Sequence, residues 1–152
     1  MPSSPLNSIE ALLPALYEAI CFEPGTTPRL DQLRTLFAPE GRLIHVKPDN
    51  VEVMDVETFI ARFEEQIRLL SLTSFHEREV AREIRQFGHV AQVFSTFEAR
   101  SQAGDAVPFA RGINSIQLLR REGRWFVASL MWDDERPDNP IPAEYLPKPA
   151  GD

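Results

Sequence analysis

Arg111–Trp132 reads RGINSIQLLRREGRWFVASLMW. Two runs of alternating apolar side chains flank Glu122-Gly123, which marks a β-hairpin with a two-residue loop. Pairing Arg121 with Arg124 would set Leu118 opposite Val127, Ile116 opposite Ser129 and Asn114 opposite Met131. Trp125 would join that face. The other face would carry Leu119 with Phe126, Ser115 with Leu130 and Ile113 with Trp132. Both faces are then substantially apolar. One needs helices over it, and the second needs another cover, either a second copy of the chain or the proline-rich tail folding back.

Upstream of this hairpin the same period-2 pattern continues. Phe75–Phe87 and His89–Arg100 read as two more strands about a tight turn at Phe87-Gly88, and Ser101–Pro108 is a longer turn. Phe109–Arg121 and Arg124–Asp133 complete a four-stranded meander. Ahead of it the period is helical. Ile9, Leu12, Leu13, Leu16 and Ile20 predict a helix over about Leu6 to Phe22. Its Asn7/Glu10 pair resembles a capping box, and Pro14 lies within it. Thr27-Pro28 begins a short second helix carrying Leu30, Leu33 and Phe37. Ala38 to Gly41 reads as a turn and Arg42 to Lys47 as a strand. Asp55 caps a third helix, Val56 to about Leu70, with Phe59, Ile60, Phe63, Ile67 and Leu70 on one face. Helices first and an antiparallel meander second is an α+β order, not a βαβ one.

The chain has 152 residues, room for one domain, with 43% apolar and 26% charged residues. That composition excludes bulk disorder. Its net charge of −7 argues against a nucleic-acid backbone as partner. No apolar run reaches the roughly 20 residues of a membrane span. The N-terminus lacks the basic and apolar regions of a signal peptide, and Cys21 is a lone cysteine, so a cytoplasmic location is expected. Of 13 prolines, five fall between Pro137 and Pro149 and none between Asp49 and Val107. We therefore expect a domain over 1–135 and a proline-rich acidic tail over 136–152, with Tyr145 and Leu146 packing on the convex sheet face or across a dimer.

The order of elements, with RLDQLRTLFAPEGRLI (Arg29–Ile44) and the hairpin quoted above, resembles the nuclear transport factor 2-like superfamily. That superfamily includes the ketosteroid isomerases, scytalone dehydratases and SnoaL-like, polyketide-cyclase-like proteins with a cystatin-like α+β fold. The resemblance implies a cone-shaped α+β barrel, with three N-terminal helices packed on a curved, mainly antiparallel sheet around a pocket. Against the ketosteroid isomerases, the first-helix tyrosine donor falls on Tyr17. The position of the catalytic aspartate base falls on His45, and that of the protonated aspartic acid donor falls on Asn114. A histidine can act as general base near neutral pH, and an amide donates without any raised pKa. Neither aspartate of the isomerases is present.

Each of these residues also has a structural reading. His45 can be a histidine on a partly exposed strand. Tyr17 can be a core residue with one satisfied hydroxyl, and Asn114 a buried amide bonded to its neighbours. Phe59, Phe63, Trp125 and Met131 are expected to line the pocket. Arg78, sharing a face with Arg82 if the Gly88 register holds, would enter the cup and hold an anion. Asp133 would sit at the pocket mouth. His76 and His89 lie too far apart along their strands to share an ion, and no zinc-type spacing exists, so neither metal nor organic cofactor is expected. Ile113, Leu119, Phe126, Leu130 and Trp132 form the expected homodimer face. The functional expectation is a cofactor-independent isomerase or dehydratase acting by proton transfer, through Tyr17, His45 and Asn114, on a small apolar, hydroxy or keto substrate. The alternative is a non-catalytic dimeric ligand-binding or scaffold protein.

Overall fold

Alternation and turn chemistry place six strands in one sheet and three helices on its inner face. The structure, a computed structural model, describes residues 5–148. The first four residues of the expected domain and the last four of the expected tail lie outside the described residues. Helix α1 spans Ile9–Glu18, α2 Leu30–Leu36 and α3 Val56–Leu69. The strands are β1 Phe37–Lys47, β2 Asn50–Met54, β3 His76–Phe87, β4 Val90–Arg100, β5 Ala110–Arg121 and β6 Arg124–Asp134. Their order across the sheet is β2-β1-β6-β5-β4-β3. Only β1 and β6 run parallel, so the sheet is mixed.

Local chemistry sets the element ends. The Ser8 hydroxyl accepts the Ala11 amide and starts α1, rather than an Asn7 cap, with Pro14 accommodated inside the helix. Asp55 does the same for α3 by accepting from Thr58 N at 2.7 Å. Helix α2 begins at Leu30, later than Thr27-Pro28 suggests. Glu122 and Gly123 take φ of 54° and 76°, the left-handed pair that a type I′ turn requires. The other tight turn is Gly88-His89, since Phe87 pairs with Val90. Strand β1 begins at Phe37 and runs through the expected Ala38–Gly41 turn as a pairing irregularity, and the short β2 was not expected from the sequence.

The core lies between α1, α2 and the concave face. Leu12, Leu13, Val93, Ile116 and Val127 are fully buried there. At roughly 1.5–3 kcal/mol for each large apolar side chain, this seam supplies most of the cohesion between helices and sheet.

Two one-residue bulges reset the faces. Gln117 pairs with Ser129 while Leu118 pairs with Val127, so Ala128 is the extra residue in β6. Beyond it Asn114 faces Trp132, not Met131, and Ile116 faces Leu130. Leu130 and Trp132 therefore turn into the cup, which corrects their placement on an outer dimer face. Met131 and Asp133 turn outward. In β3, Glu79 pairs with Phe97 and Ala81 with Thr96, leaving Val80 extra. The expected shared face of Arg78 and Arg82 is thereby broken. Bulges bend and twist a sheet, and here β3 and β6 approach one cavity although β4 and β5 lie between them.

The tail runs back over the convex face. Thr96 Oγ1 donates to the Tyr145 carbonyl at 2.6 Å, and the Phe94 and Tyr145 rings lie 5.3 Å apart. Arg111 holds Glu135 through two bonds of 2.9 and 2.8 Å. Tyr145 thus packs on its own sheet. Among the described residues no helix is long and apolar enough to cross a membrane.

Candidate functional site

The concave face and the helices border a cavity of about 220 Å³ that opens to solvent. Its wall is overwhelmingly apolar. Leu16 and Ile20 come from α1, Phe59 and Phe63 from α3, Phe97 and Ala99 from β4, and Leu130 and Trp132 from β6. Rings form a continuous arc along one side. Trp132 meets Phe59 edge-on at 6.4 Å, Phe59 lies 5.9 Å from Phe63, Phe63 5.6 Å from Phe75, and Phe75 6.0 Å from Phe109. Gly112 helps by lacking a side chain. A Cβ there would stand 2.7 Å from the Phe97 ring and 2.5 Å from the Asp133 carbonyl.

Four polar side chains reach the cavity: Tyr17, Glu77, Asn114 and Asp134. Tyr17 and Asn114 are both buried and belong to one chain of hydrogen bonds. Asn114 Nδ2 donates to the Tyr17 hydroxyl at 3.0 Å. Ser95 Oγ donates to Glu79 Oε2 at 2.5 Å. A serine hydroxyl has one hydrogen, so in the 2.6 Å contact between Tyr17 and Ser95 the phenol is the donor. Arg82 Nε closes the chain on Glu79 Oε1 at 2.6 Å. Burial pushes the Tyr17 phenol above the usual tyrosine range, so it stays neutral.

Glu77 differs from every acid around it. Its carboxyl has neither a hydrogen-bond nor an ion-pair partner among the described residues. Its main chain is pinned instead, by Cys21 Sγ at 3.3 Å from both its N and its O. Desolvation, reinforced by the charge of Asp134, pushes the Glu77 carboxyl up to about 8. Burial likewise raises the Cys21 thiol. Glu77 nonetheless keeps intermediate exposure, because its cavity is open to water.

His45 stands one layer behind. Its ring stacks on Trp132 at 4.5 Å and 15°, and its Nε2 lies 2.8 Å from Asp134 Oδ2. It touches the cavity through those two side chains and is not part of its wall. Of the expected site residues, then, the structure brings Tyr17, Asn114, Phe59 and Phe63 to the cavity and His45 to its edge. Trp125 is buried in the core outside the cavity wall. Arg78 points outward toward Glu98 with its side chain 71% exposed. Met131 is 41% exposed, and Asp133 bonds Arg136 at 2.7 Å on the outside.

Glu77, Asp134, Ser95 and Glu79 were not singled out from the sequence. The only local hint at the shift that brings Asp134 inward is Ala128-Ser129, two small residues within a bulky strand.

No protein-family model matches the sequence, and a comparison with curated proteins finds no match. Solved structures do match. An NTF2-like protein of unknown function from Silicibacter pomeroyi aligns with a TM-score of 0.58 at 17% identity, over 84% of this chain and 92% of that one. Another from Methylobacillus flagellatus gives 0.56 at 15% identity, over 84% and 90%. A protein of unknown function with a cystatin-like fold from Nostoc punctiforme gives 0.57 at 12% identity, over 71% and 77%. The fold is therefore NTF2-like.

Proposed function

We propose that this cavity performs cofactor-independent proton transfer, of the isomerase or dehydratase type, on a small and largely apolar substrate. The observation that carries the reading is Glu77, a carboxyl without a partner in an apolar cavity, pushed up to about 8. Such a group is mostly protonated at pH 7 and is a far stronger base than an ordinary carboxylate once ionised, the property required of a general acid–base group. Asn114 has a second Nδ2 hydrogen beyond the one given to Tyr17, and it supplies a neutral donor to a developing oxyanion. Desolvation chiefly keeps Glu77 protonated, and the charge of Asp134, which His45 holds, adds to it. In this reading the proton-moving role expected of His45 passes to Glu77, and His45 positions Asp134.

The test is deuterium exchange. Small enolisable ketones, β,γ-unsaturated ketones and β-hydroxy ketones are incubated with the protein in D₂O and followed by NMR. Exchange or turnover should fall about 10²–10⁴-fold in Glu77→Gln and less in His45→Ala. Catalysis unchanged in Glu77→Gln would overturn the assignment.

Binding without turnover is the second reading, and one observation favours it. The Tyr17 hydrogen is directed at Ser95 rather than into the cavity, as in a structural network. Under that reading ligands stabilise the protein and none is converted.

A further inference from the structure

We infer that the ligand of this cavity is a small apolar cation, a protonated or quaternary amine carrying hydrocarbon groups. The inference goes beyond the proton-transfer reading, because it concerns the ligand's charge and holds whether the ligand is converted or only bound.

Three features of one cavity carry it. First, among the described residues the only charged side chains on the wall are acids, Glu77 from β3 and Asp134 from β6, and no Lys or Arg lines it. Carboxylate and phosphate ligands thus meet no cationic partner on this wall. Second, the arc of Trp132, Phe59, Phe63, Phe75 and Phe109 borders the same space. Aromatic rings attract cations electrostatically and hydrocarbon by burial, which is the chemistry that recognises alkylated ammonium groups. Third, the acids nearby are paired and Glu77 is not. Glu79 has Arg82 and Ser95, Glu98 has Arg100, Glu23 has His76, and Asp134 has His45 on one oxygen. A partly buried carboxyl without a partner is costly once ionised, and a cation placed between Glu77 and the free Asp134 oxygen supplies the missing partner. The volume of about 220 Å³ lies below the roughly 300–1,000 Å³ typical of drug-sized ligands, which limits the occupant to a small amine.

A cation beside Glu77 also ionises it, so binding releases a proton. The titratable groups near Glu77 are Tyr17 from α1, Cys21 from the segment that follows α1 and holds the Glu77 main chain, Glu79 on its own strand and Asp134 from β6, with His45 from β1 behind Asp134. Strands β4 and β5 and helix α3 add no charged side chain to the cavity wall.

The experiment is titration calorimetry of the full chain at pH 7, in phosphate and in Tris, with benzyltrimethylammonium, benzyl alcohol and benzoate. Benzyltrimethylammonium cannot exchange a proton, so any buffer-dependent heat reports the protein. The expected result is at least tenfold tighter binding of the cation than of the alcohol, close to one proton released per cation, and no benzoate binding. Glu77→Gln should abolish the proton release and weaken the cation at least tenfold. Asp134→Asn should weaken it independently. Equal binding of cation and alcohol, preference for benzoate, or no cation binding at millimolar concentration would each overturn the inference. Glu77-dependent deuterium exchange into a neutral ketone would survive those outcomes, so the two readings fail separately.

Discussion

Replacing Glu77 by glutamine should change how the stability of the fold depends on pH. Desolvation pushes the Glu77 carboxyl up to about 8 in the folded protein, from an ordinary value near 4.5. A raised folded value means the protonated form favours the fold. That contribution is fully present below pH 4.5, declines as pH rises, and is gone above about 8. With about 1.36 kcal/mol for each tenfold change in acidity, the full span is about 5 kcal/mol, and about 4 kcal/mol of it falls between pH 5 and 9. Water reaching the open cavity screens part of this, and halving it leaves about 2 kcal/mol. For a chain of this size, at roughly 2–4 °C per kcal/mol, that is about 4–8 °C in Tm.

The assay is thermal unfolding of the wild type and Glu77→Gln from pH 5 to 9. Subtracting the two curves cancels the repulsion of the other charges in a chain of net charge −7. The variant should gain on the wild type by about 4–8 °C across that range. Asp134→Asn should move the wild-type transition to lower pH, because the Asp134 charge is one of its two causes. Parallel curves, with a gap that does not change between pH 5 and 9, would refute the reasoning: Glu77 would then be solvated rather than confined.

Three further substitutions test the scaffold of the site. Ser95→Ala removes the hydroxyl linking Tyr17 to Glu79 and should cost about 1–3 kcal/mol in denaturant unfolding with an unchanged m-value. Gly112→Ala places a methyl 2.5 Å from the Asp133 carbonyl and 2.7 Å from the Phe97 ring, and should lower stability by about 1–3 kcal/mol. Asp55→Ala deletes the side-chain cap on Thr58 N and should cost about 1 kcal/mol, measurable as a lower midpoint with the cavity untouched.

The fold was legible because its signals are local. Leu12, Leu13 and Leu16 mark one helix face, Glu122-Gly123 closes one hairpin, and the proline-free middle holds α3 and the first long hairpin. Tyr17 and Asn114 were legible for a related reason: each sits on an element that carries no extra residue of its own, since the bulge beside β5 lies in β6. His45 was assigned to the right strand, but its separation from the cavity depends on Trp132, whose direction the strand pattern does not fix.

The acids of the site were hidden for a different physical reason. Strand pairing has a period of two, so one extra residue reverses every side chain beyond it. In β6 the choice lies between Asp133 and Asp134, two identical side chains, and Ala128 decides it. The excluded aspartate ends on Arg136 outside, while the included one meets His45 and faces the cavity. In β3 the alternation Glu77-Arg78-Glu79 offers either sign of charge. Ile84 pairs with the fully buried Val93 at one end, and Glu77 and Glu79 pair with the buried Ala99 and Phe97 at the other; placing all three on the inner face requires an extra residue between, and Val80 is that residue. Without it Arg78, not Glu77, would face Asp134, and the cavity would suit an anion. The sign of the side-chain charge that faces the cavity is therefore set by one extra residue in each of two strands, Val80 in β3 and Ala128 in β6.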